Sequence, residues 1–222
     1  MAWELAEAFW PGPLTLILKR TPQVPDAVTG GQDTVGLRVP GHPVALELLR
    51  AFAAAGGSGG IAAPSANRFG RISPTTAEHV REELGDSVSL VLDGGSCAVG
   101  IESTILDLSS GKPVLLRPGH ISPAAIEAVC GVLPEAPTTN APRASGTLEA
   151  HYAPQTAMRM VAKDRLLELL NAVRHSGRRC GVLCHSQPPQ SGMPHVWKML
   201  PADPVGYAHD LYAALRDLDH AD

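Results

Sequence analysis

Thr34-Val35-Gly36-Leu37-Arg38-Val39-Pro40 is the stretch on which the reading of the fold turns. Its apolar residues make a strand, and Pro40-Gly41 stops it. Arg38 stands at its end, where a guanidinium is costly unless it faces solvent or meets an anion. The same arrangement recurs in Val114-Leu115-Leu116-Arg117-Pro118-Gly119. Each arginine has two explanations, a structural salt bridge or a bidentate grip on a carboxylate or phosphate.

Outward from this stretch, strands and helices alternate. Residues 1–9 read as the end of a helix halted by Trp10-Pro11-Gly12-Pro13, and Leu14 to Leu18 reads as a strand. Pro43 to Ala54 has helical spacing through Val44, Leu48, Leu49 and Phe52. Ile61-Ala62-Ala63 reads as a short buried strand, and a helix opens at Ser73-Pro74-Thr75-Thr76 and runs to about Leu84. Ser73 or Thr75 is the expected cap, with Glu78 at the capping-box distance from Thr75. Strands are expected at Val88–Leu92, Ser103–Leu108 and Val114–Leu116, then a helix at Pro123–Val129.

Prolines 134, 137, 142 and 154 exclude a long helix from residues 134–156, which read as a linker crossing a surface. Beyond it come an expected strand at Met158–Val161, a helix at Lys163–Arg174, strands at Cys180–Cys184 and near His195–Lys198, and a helix from Pro204 that the chain leaves unfinished. The expectation is an α/β protein in three parts: a domain over residues 1–133, a linker over 134–156, and the start of a small parallel α/β domain over 157–222.

Composition narrows the function classes. Of 222 residues, 44% are hydrophobic and 18% charged, which excludes a disordered tail. Aromatics at 4% argue against a stacking platform for single-stranded nucleic acid, and a net charge of −4 gives no general attraction to RNA. No apolar run approaches the roughly 20 residues that span a bilayer. The opening Met1-Ala2-Trp3-Glu4 lacks the basic flank and apolar core of a secretory leader. The four cysteines have no disulfide-framework spacing, and a reducing cytoplasm is the expected compartment. Cys180-x3-Cys184-His185 could suggest a metal, but Cys180–Cys184 reads better as a strand, and no zinc signature appears. His42, His79 and His120 are expected at the surface.

Two further clusters carry polar chemistry. In Ala63-Pro64-Ser65-Ala66-Asn67 a strand ends on a hydroxyl and an amide, which can hold a carboxylate, ribose or phosphate or can be ordinary turn residues. Asp93-Gly94-Gly95-Ser96-Cys97-Ala98-Val99-Gly100-Ile101-Glu102-Ser103-Thr104 could cradle an anion with backbone N–H groups, or could be a glycine-rich hairpin loop; it lacks the ending of a Walker loop. Together with the arginines these clusters suggest a pocket for a nucleotide and a small acid. No Ser-His-Asp triad is evident.

In the same order along the chain, Phe9-Trp10-Pro11-Gly12-Pro13-Leu14-Thr15, Thr34 to Pro40, Ala63 to Asn67, Ser73-Pro74-Thr75, Glu102-Ser103-Thr104-Ile105 and Leu116-Arg117-Pro118-Gly119 resemble the YrdC-like family, the L-threonylcarbamoyladenylate synthases. Ala144 to Pro154, with His151-Tyr152-Ala153-Pro154, resembles the linker of the long two-domain members. The resemblance implies a twisted mixed-sheet YrdC-like domain over residues 1–133, without its N-terminal strands, and an incomplete Rossmann-like α/β domain over 157–222. It implies a nucleotidyltransferase that makes threonylcarbamoyl-AMP and pyrophosphate from L-threonine, bicarbonate or CO2, and ATP. A separate threonylcarbamoyl transferase complex would pass the group to tRNA. It implies threonine binding by Arg38, Ser65 and Ser103, and ATP binding by Thr34, Asn67, Thr75, Arg117 and Tyr152. It implies no covalent nucleophile and no protein metal site, with Mg2+ held mainly by the nucleotide.

Family members also begin with a strand-rich region carrying a Lys-x-Arg motif, so this polypeptide by itself is expected to be inactive or unstable. Two other readings stand beside the synthase: a noncatalytic RNA- or nucleotide-binding module, and a carbamoyl-transfer maturation domain of the hydrogenase type. The linker argues against the last.

Overall fold

The computed structural model describes residues 1–146, 152–186 and 196–220. The first part of the chain builds a four-stranded mixed sheet in the order β2-β1-β3-β4. Its strands are β1 (Leu14–Lys19), β2 (Thr34–Leu37), β3 (Thr104–Asp107) and β4 (Val114–Arg117). β1 pairs antiparallel with β2, parallel with β3, and β3 antiparallel with β4.

Period-two alternation divides β1 between two layers. Leu14 and Leu16 are buried with Leu106 against α1 (Ala2–Phe9) and α5 (Pro123–Cys130), where Leu5, Ala6 and Ile126 complete the cluster. On the other face Ile17, Ile105 and Leu116 form a second cluster with Ala141 and Ala144. Those two alanines belong to the segment expected as a surface-crossing linker. That segment is pinned to the sheet where Leu115 N–H donates to the Glu135 carbonyl at 2.9 Å and Glu135 N–H to the Pro113 carbonyl at 2.9 Å.

The register of β3 and β4 shifts at Ile105/Leu106: Ile105 faces Arg117, Leu106 faces Leu115, and Leu116 has no facing partner. Such a bulge places consecutive side chains on the same side and re-aims them. Leu116 and Arg117 are accordingly both buried.

Between the strands lie α2 (Asp26–Thr29), α3 (Pro43–Ala54) and α4 (Ala77–Leu84). The cap of α4 is Thr76, whose hydroxyl accepts from His79 N–H at 3.2 Å. The cap therefore lies one residue beyond the expected Thr75, and His79, not Glu78, stands three residues after it. Thr76 has the extended backbone a cap requires (φ −137°, ψ 163°), and Thr75 turns instead to the His79 ring.

Three expected strands are absent. Ile61–Ala63, Val88–Leu92 and Met158–Val161 take no strand structure, and Leu90 and Met160 are 75% and 94% exposed. An apolar run becomes a strand only when a neighbour closes its hydrogen-bond ladder, and no described residue does so here.

The second unit contains α6 (Leu166–His175), a parallel pair β5 (Gly181–Cys184) and β6 (Val196–Met199), and α7 (Pro204–Asp219). Asp203 caps α7 by accepting from Gly206 N–H at 2.8 Å, with Pro204 in the first turn. This is the small α/β domain expected. No helix among the described residues is long and apolar enough to cross a membrane.

Candidate functional site

Arg117 is the centre of the polar network at the β4 end. It is 8% exposed. Its Nε donates to the Ser103 carbonyl at 2.9 Å and its Nη2 to Ser103 Oγ at 3.0 Å. Its Nη1 donates to the Ser145 carbonyl at 3.1 Å and to the Tyr152 hydroxyl at 2.9 Å. Glu102 Oε2 lies 3.8 Å from Nη2. Burying a guanidinium is tolerable only when its donors are satisfied, and here sheet, loop and linker all contribute oxygens.

The network extends in both directions. Ser103 Oγ lies 2.9 Å from Thr15 Oγ1 on β1. The Ser73 hydroxyl donates to Glu102 Oε1 and, at 3.4 Å, to Asn67 Oδ1. Asn67 Nδ2 donates to the carbonyls of Arg68 and Arg71, both at 3.0 Å, which folds the 67–71 segment into a tight bend. Asn67, Ser73, Glu102, Arg117, Ser103 and Thr15 are thus one connected chain of polar groups.

Arg38 sits just past β2, where its Nε donates to the Gly12 carbonyl at 2.9 Å. Desolvation of its head group lowers its pKa; Glu102 opposes this, Arg117 adds to it, and Cys97 opposes it. The two arginines therefore share the field of one carboxylate. Burial raises the Tyr152 pKa, helped by Glu102 and opposed by Arg117, so its hydroxyl stays protonated and able to donate.

Thr75 is buried just before α4. Its carbonyl accepts from Cys97 N–H at 2.8 Å, tying the glycine-rich loop to the start of α4. Ser65 lies on an exposed stretch two residues before Asn67. Thr34 is elsewhere: it pairs with Lys19 at the far end of β1 and lines a cavity of about 700 Å³ with Asp107 and Arg143. The structure thus brings Asn67, Ser103, Arg117 and Tyr152 together, sets Arg38 beside them, ties Thr75 to the glycine-rich loop, and leaves Thr34 at the opposite end of the strand. His151 lies outside the described residues.

Glu102, Ser73 and Thr15 were not singled out as site residues from the sequence. Glu102 is the junction of the network, yet a lone carboxylate in a glycine-rich stretch has no spacing that marks it. The histidines expected at the surface divide. His120 is exposed; His42 caps α3 and reaches the Gly94 carbonyl at 3.1 Å; His79 is partly covered. No group of three or more His, Cys, Asp or Glu suited to a metal ion occurs among the described residues.

Linker geometry around Arg117 is tight. Gly146 has φ +86°, and a Cβ there would meet Tyr152 Cε2 at 2.8 Å and Arg117 Cδ at 2.9 Å. Tyr152 itself has φ +59°, an uncommon conformation for a bulky residue.

Comparison with known proteins places this architecture. A Sua5–YciO–YrdC family model, described as telomere recombination, matches residues 1–119. A model described as the threonylcarbamoyl-AMP synthase C-terminal domain matches residues 121–222. The chain is 38% identical over 190 residues to threonylcarbamoyl-AMP synthase of Pyrococcus abyssi, covering 81% of this chain and 54% of that protein. It is 41% identical over 189 residues to the Bacillus subtilis protein of the same name, covering 81% and 52%. Among solved structures, P. abyssi Sua5 complexed with L-threonine superimposes with a TM-score of 0.85 at 34% identity, covering all of this chain and 66% of that one. The chain spans about half the length of the curated relatives it matches.

Proposed function

We infer the function from one premise: the chain belongs to the Sua5–YciO–YrdC family. We propose that the whole protein is a cytoplasmic L-threonylcarbamoyladenylate synthase that supplies a tRNA-modifying transferase complex. The observation that carries this reading is Arg117, a buried guanidinium held by a strand-end serine, a carboxylate and a linker tyrosine.

The chemistry needs no covalent intermediate on the protein. The threonine amine gives its electron pair to the carbon of CO2 and loses a proton. A carbamate oxygen then attacks the α-phosphorus of ATP, and pyrophosphate leaves. Both steps gather negative charge, so the protein's contribution is placement and cationic neutralisation. Arg38, Ser65 and Ser103 are assigned to threonine. Asn67, Thr75, Arg117 and Tyr152 are assigned to ATP.

Each donor of Arg117 already faces an oxygen, so a phosphate would take the place of the Tyr152 hydroxyl or the Ser145 carbonyl. The linker would then close over the nucleotide from outside. Thr34 is assigned to ATP by its motif alone, and would need an elongated nucleotide lying along β1. Mg2+, when bound, neutralises the phosphates. Glu102 is engaged by Ser73 and Arg117, so the residues present fit an ion carried by the nucleotide better than a protein cage. We place the domain boundary after Leu133, because α5 packs within the first core.

The test is threonine-dependent release of pyrophosphate from ATP by the whole protein, alongside titration calorimetry with each substrate. Absence of release with saturating threonine, bicarbonate and MgATP defeats the synthase reading. RNA binding without release points to the noncatalytic module.

A further inference from the structure

We infer that Arg216, on α7 of the second unit, is a positioning residue for the nucleotide half of the site. The inference rests on the reading that Asn67 and Tyr152 face ATP. Arg216 is 7% exposed, far too buried for an ordinary surface arginine. Its Nη2 donates to the Ile72 carbonyl and lies 3.2 Å from Glu83 Oε2. Glu83 in turn accepts from Arg68 N–H at 3.1 Å through Oε1, and its carbonyl accepts from Arg68 Nε at 3.1 Å. One guanidinium therefore fixes both ends of the bend: residue 68 through Glu83, and residue 72 directly. Asn67 and Ser73 are the residues immediately outside those two points.

The same helix also holds the linker. The Tyr212 ring lies tilted against Tyr152 with centroids 6.0 Å apart, and Tyr212 and Leu215 bury Ile72. Asp219 accepts from Gln155 N–H at 2.7 Å and Thr156 N–H at 2.9 Å. Ala153 N–H donates to the Gly70 carbonyl at 2.9 Å, joining linker to bend. The bend and the linker, which carry Asn67 and Tyr152, thus share one support on α7, whereas Arg38 and Ser103 are held by the sheet and Ser65 lies on the exposed stretch before the bend. This gives the second unit a task in catalysis: it sets Asn67 and Tyr152 for ATP and leaves Arg38 and Ser103 of the threonine half alone.

A plain interdomain staple would change melting temperature without discriminating between substrates. Positioning predicts discrimination. In the whole protein, Arg216→Met should raise the KM and Kd for MgATP about tenfold, the effect of losing one hydrogen bond to a charged group, with threonine Kd changed far less. Arg216→Lys, which keeps a donor and the charge, should recover part of the loss. Asp219→Ala, at the exposed end of α7, should move ATP affinity the same way by a smaller factor, and it decides the matter if Arg216→Met does not fold. The inference is overturned if the folded variants leave ATP affinity unchanged or weaken both substrates equally. If the unsubstituted protein binds no ATP, the synthase reading and this inference fall together. If it binds ATP and the variants match it, only this inference falls.

Discussion

Arg117 holds Ser103 at two points, its Nε on the backbone carbonyl at 2.9 Å and its Nη2 on the hydroxyl at 3.0 Å. The residue assigned to ATP thereby fixes the rotamer of a residue assigned to threonine, and the two substrates share one rigid element. Arg117→Met should abolish detectable ATP binding and also weaken threonine binding several-fold. Because Glu102 and the Ser103 carbonyl lose a charged partner, stability should fall by about 2–3 kcal/mol. Calorimetry and urea unfolding measure both, and ATP binding at the original affinity would remove Arg117 from the site.

Ser65→Ala and Ser103→Ala separate the threonine contacts. Ser65 is exposed, so its loss should weaken threonine binding with almost no change in melting temperature. Ser103 Oγ also meets Thr15 and Arg117, so its loss should lower both affinity and stability by about 1 kcal/mol. Equal effects of the two variants on melting temperature would contradict this division.

Gly146→Ala tests the linker. The backbone there has φ +86°, and the added methyl would press on the Tyr152 ring and the Arg117 stem. ATP affinity should drop at least several-fold while threonine affinity holds. Retained ATP affinity would show that the linker does not need this tight passage.

His79 gives a pH dependence. Burial lowers its pKa below the ordinary 6.5, and the nearby Arg216 adds to the effect against Glu82, Asp217 and Glu78. Thr75 N–H donates to His79 Nδ1 at 3.3 Å, which requires an unprotonated nitrogen. Between the two pKa values the unfolded chain binds more protons than the folded one, so stability rises with pH. The His79 contribution is complete above about pH 6.5 and is lost as pH falls toward the folded value. Melting temperature should therefore decline from pH 7.5 to pH 5 more steeply than in His79→Gln. Parallel profiles would discount the residue.

Thr104→Val probes the core without touching ligand groups. Thr104 is fully buried, and its hydroxyl donates to the Ile121 carbonyl and accepts from Ile121 N–H, both at 3.0 Å. The isosteric change strands two backbone groups and should cost about 1–3 kcal/mol. It should appear as a lower denaturant midpoint at constant slope.

How much the sequence revealed depended on whether an element carries its partner nearby. β1, β3 and β4 were legible because Leu14/Leu16 and Ile105/Leu106 sit between turn residues and pack on α1, α5 or the linker. Ile61–Ala63 and Val88–Leu92 look equally strand-like, but pairing is a property of neighbours and no local pattern supplies it. The arginines and the Ser65/Asn67 bend stood out because polar groups at strand ends are conspicuous. Glu102 and Arg216 did not, since one is a single carboxylate among glycines and the other reads as a helix-surface charge until α7 is docked. The bulge that turns Arg117 inward is a matter of register, which two short apolar strands do not encode on their face.

The side-by-side alignment of β1 with β3 has a consequence for biogenesis. Thr15 and Ser103 touch across 88 positions of chain, and β1 has no parallel neighbour until the ribosome has delivered β3. Until then an apolar edge is open to intruders, and closing so large a loop is slow. Translation speed and chaperone supply, more than final stability, should govern the yield of soluble material when the gene is overexpressed.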